Sequence, residues 1–170
     1  FYFQMLLSLL QPKRILEIGT AIVFSALVMA QEVPNAEIVT IDRNPEMIEL
    51  AKKNLDKYDH RKQIILKEGD AAEVLRELSA PFDVIFMDSA KSKYIEFLPI
   101  ALDLLSENGV ILMDDIFQGG EILTPIMEIK RNQRALERGL RKLFDEVLDN
   151  PKYLTSILPL GDGLLMIKKS

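Results

Sequence analysis

Five short runs of branched apolar residues alternate with helix-forming stretches, and the chain closes on two more runs separated by little more than Gly161-Asp162-Gly163. The five runs are Arg14–Ile18, Glu37–Asp42, Gln63–Lys67, Phe82–Asp88 and Gly109–Asp114. Each is too short for a helix and reads as a buried strand. Alternation of strand and helix demands a parallel sheet with helices on both faces and right-handed crossovers. The last two runs, Leu154–Leu160 and Leu164–Lys169, lie too close together for a crossover and must form a hairpin. The expected fold is therefore α/β, with a mostly parallel seven-stranded sheet closed by a C-terminal antiparallel hairpin.

Between the strands, Asn44-Pro45 supplies an N-cap and first helical position. The helix that follows sets Met47, Ile48, Ala51 and Leu55 on one stripe. Asn108-Gly109 is expected to close the helix through Tyr94, Phe97 and Leu105 with a left-handed cap. Glu121 to Leu148 reads as one long amphipathic segment carrying Lys130, Arg131, Arg134, Arg138, Arg141 and Lys142. The length of 170 residues suits one domain, placed at residues 5–170, with Phe1–Gln4 resembling the end of a tag.

The function classes open to the chain are narrowed by what it lacks. Cysteine is absent, which removes disulfides and a thiolate nucleophile, and His60 is the only histidine. That histidine lies in a polar loop, so a Ser/His/Asp site is not expected. The net charge is −5, which disfavours a broad nucleic-acid face. No run reaches the roughly 20 apolar residues of a membrane span and no signal peptide is recognisable, so we expect a cytoplasmic protein with no membrane partner.

The chemistry concentrates at the strand ends. Glu17, Asp42, Asp70, Asp88, Asp114 and Asp115 all fall at the carboxyl ends of expected strands or just beyond. A parallel sheet brings those ends to one cleft, where carboxylates repel and raise one another's pKa unless cations balance them. An acid after the second strand can accept both hydroxyls of a ribose. Acids after the fourth and fifth strands are hard oxygen donors suited to Mg²⁺ or Ca²⁺. Gly19, in the turn after the first strand, can take a positive φ and let a ligand approach. Lys91, three residues after Asp88, is a candidate general base whose pKa a neighbouring divalent ion would lower.

Read in order, Glu17-Ile-Gly-Thr-x-x-x-Phe-Ser25, Ile41-Asp42, Glu68-Gly-Asp-Ala71, Phe86-Met-Asp-Ser-Ala-Lys91 with Tyr94, Leu112-Met-Asp-Asp115 and Leu158-Pro-Leu-Gly-Asp-Gly163 resemble the cation-dependent O-methyltransferases of the catechol and caffeoyl-CoA type. The resemblance runs from about residue 9 to 170 and implies the class I methyltransferase sheet. It implies that Glu17, Gly19, Thr20 and Ser25 hold the amino-acid end of S-adenosylmethionine. Asp42 would take the ribose, with Asp70, Ala71 and Asp88 completing the cofactor site. Asp88, Asp114 and Asp115 would bind a divalent cation, expected as Mg²⁺, and Lys91 would be the catalytic base.

The form of the motifs looks most like bacterial members that methylate 5-hydroxyuridine in tRNA, so tRNA is the expected acceptor and a homodimer the expected assembly. The alternative acceptor is a small catechol-like phenol or a hydroxycinnamoyl thioester. Two other classes stay open, a non-catalytic S-adenosylmethionine-binding module and an NAD-dependent dehydrogenase. The dehydrogenase fingerprint lacks two of its glycines here. The chain departs from the family pattern in four ways. Val23 stands where relatives usually have Gly and is expected to crowd the cofactor. Asp115 and Asp145 stand where Asn is usual, and the family's N-terminal helices are missing.

Overall fold

The structure, a computed structural model, describes residues 2–170. Its strands are β1 (Arg14–Ile18), β2 (Glu37–Asp42), β3 (Ile64–Glu68), β4 (Phe82–Met87), β5 (Leu105–Met113), β6 (Tyr153–Leu158) and β7 (Leu164–Lys169). They form one sheet in the order β3-β2-β1-β4-β5-β7-β6. The pairs among β1 to β5 are parallel, and β7 runs antiparallel between β5 and β6. The expected α/β architecture with its closing hairpin is what the chain forms. Chain order reverses direction in the sheet between β1 and β4, and that switch point is where an open α/β sheet leaves a crevice.

The helices are α1 (Tyr2–Leu10), α2 (Phe24–Glu32), α3 (Pro45–Tyr58), α4 (Ala71–Glu77), α5 (Tyr94–Leu104) and α6 (Arg134–Val147). They cover two separate apolar layers. One, built on Leu16, Ile18, Ile85, Met87 and Ile111, packs beneath α5 and α6. The other, built on Ile15, Ile38, Val84 and Leu112, packs beneath α1 and α2. Side chains alternate along a strand, so Glu17 on β1 and Thr40 on β2 share the face of Ile15 and Ile38, under the start of α2. Within α1, Phe3 packs on Phe86 with ring centroids 4.8 Å apart, and Leu7 is buried. The expected cap of α3 is formed: the Asn44 side chain accepts from the backbone N–H of Glu46 at 3.0 Å and of Met47 at 3.4 Å.

Two sequence expectations are corrected. Asn108-Gly109 does not cap a helix; α5 ends at Leu104 and both residues lie inside β5. The register between β4 and β5 shifts there, pairing Phe82 with Leu105 but Val84 with Val110, so the extra residues form an irregularity at the strand's entrance. A side chain at Gly109 would meet Leu105 and Ser106 within 2.9 Å, so the glycine serves packing. The segment from Glu121 to Leu148 is also not one helix. Residues Gln118–Leu123 form a 3-10 stretch kinked at Gly119 and Gly120, and α6 begins only at Arg134.

Candidate active site

The backbone ladder continues one residue past the strands and sets the acids in a row. The N–H groups of Gly19 and Thr20 donate to Ile41 O at 3.0 and 3.2 Å, and that of Gly69 to Asp42 O at 2.9 Å. The Asp88 N–H donates to Ile18 O and the Asp114 N–H to Met87 O, both at 3.0 Å. Above this edge opens a cleft of about 660 Å³. Gly19, Asp42, Asp70, Ala71 and Asp88 line it, with Asn44, Met47, Ser89 and Phe97 among the other walls. Gly19 has φ of +108°, and a Cβ there would stand 2.1 Å from Asp88 O. Only glycine fits that crossing of β1 and β4.

Asp42 is oriented by backbone donors. One carboxylate oxygen accepts the Asn44 N–H at 2.8 Å and the other the Ala21 N–H at 2.9 Å. Each oxygen keeps a further lone pair with which to accept, the capacity a ribose diol needs, and Asp42 lines the cleft. At the same rim Arg43 pairs with Asp70 at 3.0 Å, while the other Asp70 oxygen caps α4 through the Ala72 N–H.

Glu17, Thr20 and Ser25, by contrast, turn away from the cleft. Glu17 is fully buried. Ser25 donates to Glu17 Oε1, Thr40 donates to Oε2 at 2.5 Å, and the Thr20 and Thr40 hydroxyls are 2.6 Å apart. Burial pushes the Glu17 carboxyl up to about 7; the Ser25 and Thr40 hydroxyls oppose that, and the charges of Asp88 and Asp42 add to it. Sequence reasoning missed Thr40, because its partnership with Glu17 exists only in the β1–β2 register that sets the two side by side.

Val23 behaves differently from expectation. It is fully buried in the α1–α2 layer and does not line the cleft, so its methyl groups do not crowd a ligand there. The cost lies in the backbone, which is left-handed at φ 70°, a conformation costing a β-branched residue about 1–2 kcal/mol. Replacement by glycine would relieve that strain but forfeit a buried side chain worth about 1.5–3 kcal/mol. Val23→Gly is therefore expected to lower stability by about 1 kcal/mol in thermal unfolding and to leave ligand affinity at the cleft unchanged.

At the other end of the row, Asp88 and Asp115 flank Lys91. Its ammonium donates to Asp88 Oδ1 at 2.9 Å and lies 3.4 Å from Asp115 Oδ2. Lys91 opens a 3-10 turn, Lys91–Lys93, before α5. Burial pulls its pKa down, but the hydrogen bonds and charges of Asp88 and Asp115 together outweigh this and hold it above the usual lysine range. With no other cation beside the acids among the described residues, the ammonium itself balances them.

Burial raises the Asp114 carboxyl and the Asp115 N–H opposes this; the charges of Asp115 and Asp88 raise it further against Lys91. Asp115 adopts φ 55°, which Asp and Asn tolerate better than other residues. Among the described residues, no group of three or more acids or metal-binding side chains is arranged to hold an ion. Asp145 is exposed on α6 and does not line the cleft.

Two family motifs prove to be buttresses. The Tyr94 hydroxyl, fully buried, donates toward Met87 O at 2.8 Å and lies 3.3 Å from Asp114 O, tying β4 to β5 beneath the acids. Burial holds that phenol far above its ordinary pKa, so it remains protonated. Asp162 accepts the Gly119 N–H at 2.8 and 3.0 Å, and a side chain at Gly163 would collide with the Phe117 ring. The terminal Gly-Asp-Gly turn thereby fixes the segment that leaves Asp115.

A sequence model of the O-methyltransferase family matches residues 1–170. The chain belongs to the O-methyltransferase family. It is 33% identical over 127 residues to a catechol O-methyltransferase of Niastella koreensis, covering 72% of this chain and 58% of that protein. To caffeoyl-CoA O-methyltransferase 1 of Arabidopsis thaliana it is 28% identical, covering 99% of this chain and 68% of that one. Its fold matches the crystal structure of the SAH-bound methyltransferase PaMTH1 of Podospora anserina with a TM-score of 0.89 and 31% identity, covering 99% of this chain and 76% of that chain. Membership in this family makes the chain part of an S-adenosylmethionine-dependent enzyme and sets aside the dehydrogenase reading. No helix among the described residues is long and apolar enough to cross a membrane.

Proposed function

We propose that this O-methyltransferase transfers the methyl group of S-adenosylmethionine to a hydroxyl of a small vicinal diphenol, either a catechol or a hydroxycinnamoyl thioester. The observation that carries the donor site is the Asp42 carboxylate, held by two backbone N–H groups at the rim of a cleft that also presents the bare Gly19 backbone. The names of the relatives support the acceptor class. The basic residues between Lys130 and Lys142 lend a tRNA acceptor little support. Arg134 and Arg141 spend their guanidinium groups on backbone carbonyls at residues 122, 124, 127 and 129.

The donor chemistry of Asp88, Asp114 and Asp115 suits a divalent cation, although among the described residues the three are not gathered into a coordinating group. Three carboxylates answered by one ammonium leave an excess of negative charge; the Asp114 carboxyl is raised first by burial and then by the charges of Asp115 and Asp88, and hard oxygen donors are what Mg²⁺ prefers. Asp88, Asp114 and Asp115 would hold it. A bound ion would supply positive charge that lowers the pKa of an acceptor hydroxyl and of the Lys91 ammonium.

The chain's own residues then have distinct tasks. Asp42 orients the ribose end of the donor, and Gly19 lets the donor lie against the backbone. Lys91 Nζ stands at the acid row, where as an ammonium it compensates the charge left on the acceptor and, once deprotonated, takes the acceptor's proton. Tyr94 keeps the ends of β4 and β5 in register, so that acceptor and methyl donor meet in line, where positioning supplies much of the rate.

An assay with labelled methyl donor and Mg²⁺ against catechol, caffeoyl-CoA and tRNA unmodified at the wobble position tests the acceptor. Label in either diphenol, lost on adding EDTA, is the expected result. Label confined to tRNA would overturn the small-acceptor reading.

A further inference from the structure

Thr40 lies outside the cleft, yet it links the one buried acid of this edge to the turn that shapes the cleft. It is fully buried and stands beside Glu17 in the β1–β2 register. A threonine hydroxyl has a single proton to give. When Glu17 is ionised it can only accept, so Thr40 donates to its Oε2 and the Thr20 hydroxyl must donate to Thr40. When Glu17 carries a proton on that oxygen it can donate to Thr40, which then donates to Thr20. Protonation at Oε2 thus reverses the direction that the ionised carboxyl imposes on the hydroxyl chain. The far end of that chain is the first residue after Gly19, and Gly19 and Ala21 on either side of Thr20 line the cleft. Ser25, in the first turn of α2, holds the other Glu17 oxygen, so both ends of the turn are tied to this carboxyl.

We propose that Thr40 is a positioning residue of the cofactor site, whose hydroxyl fixes the Glu17 carboxyl and relays its protonation state to Thr20 at the start of the glycine turn. The inference rests on the reading of the cleft as the S-adenosylmethionine site. The charged groups acting on Glu17 are Asp42 at the end of β2 and Asp88 beyond β4, both negative, while α2 presents the Ser25 hydroxyl. A ligand bringing an ammonium to this turn would favour the ionised carboxyl. Thr40→Val removes one hydrogen bond that stabilises the carboxylate and opens the link to Thr20. Thr40→Ser keeps both.

Two measurements separate the possibilities. In ligand-free protein, the pH dependence of thermal unfolding, referenced to Glu17→Gln, reports the titration of Glu17. Thr40→Val is expected to move its midpoint up by about one pH unit, with Thr40→Ser near wild type. In calorimetric titration with S-adenosylhomocysteine, Thr40→Val is expected to bind up to about tenfold more weakly at about pH 6 and to approach wild type by about pH 9, with Thr40→Ser restoring the profile. An unmoved midpoint, or a loss of affinity equal at every pH, overturns the relay and leaves Thr40 a packing residue. Wild-type protein that binds no S-adenosylhomocysteine overturns the cofactor reading, and the ligand-free titration then decides the relay by itself.

Discussion

Lys91→Met is expected to lower methyl transfer to catechol by roughly two to four orders of magnitude while leaving S-adenosylhomocysteine affinity within about twofold, the range over which a positioned proton acceptor acts. The lysine side chain is only 15% exposed and is held between Asp88 and Asp115, so its amine has one well-defined location. It does not line the donor cleft, which is why turnover and cofactor affinity should separate. Methionine keeps the aliphatic stem and removes the charge. Removing the ammonium strengthens repulsion between two half-exposed carboxylates, and Mg²⁺ should relieve that repulsion in the assay. Steady-state kinetics beside calorimetry checks both halves; unchanged turnover would remove Lys91 from the chemistry.

Glu17→Gln is expected to change how stability depends on pH. The folded-state carboxyl is raised to about 7 from 4.5, chiefly by burial. For an acid with a raised folded pKa, the protonated form is favoured by folding. Its contribution is complete below the unfolded pKa and is lost as pH rises through the folded one. Between pH 4.5 and about 7 the unfolded chain has released the proton and the folded one retains it, so wild-type stability falls with rising pH. The loss by about pH 8 is about 3 kcal/mol. The glutamine amide of the variant is nearly isosteric with the carboxyl it replaces, keeps Ser25 and Thr40 within reach, and has nothing to titrate. Because the other carboxylates are common to both proteins, their pH dependence cancels in the comparison. The variant should therefore match wild type near about pH 5 and unfold roughly 6–12 °C higher at about pH 8 in the absence of ligand. Parallel profiles across that range would mean that Glu17 is already ionised in the folded protein.

The sequence made the sheet legible because its signals were local. Each strand is a short apolar run, and the two final runs leave no room for anything but a hairpin. The row of acids was legible for the same reason, since strand ends in a parallel sheet share an edge. What escaped depended on three-dimensional neighbours. Asn108-Gly109 carries a strong helix-cap signal, yet the strand register absorbed both residues into β5. The break before α6 depends on Gly119 and Gly120, which no period in the surrounding residues marks. Val23 was read as an obstacle to the ligand, but a positive φ rotates its side chain into the core. The charge state of Lys91 could not be read from spacing, because it follows from two carboxylates contributed by different strands. Thr40 looked like one more β-branched residue in a buried run, and only its register opposite Glu17 gives its hydroxyl a task.

The central claim is that the cleft over β1, β2 and β4 holds the methyl donor through Asp42. Calorimetric titration of wild type and Asp42→Ala with S-adenosylhomocysteine, and of wild type with NAD as control, tests it most directly. Single-site binding to wild type, weakened about 10- to 100-fold in the variant as expected for lost hydrogen bonds to a charged group, with no NAD binding, is the predicted result. Equal affinity in the two proteins, or NAD binding in place of S-adenosylhomocysteine, would contradict it.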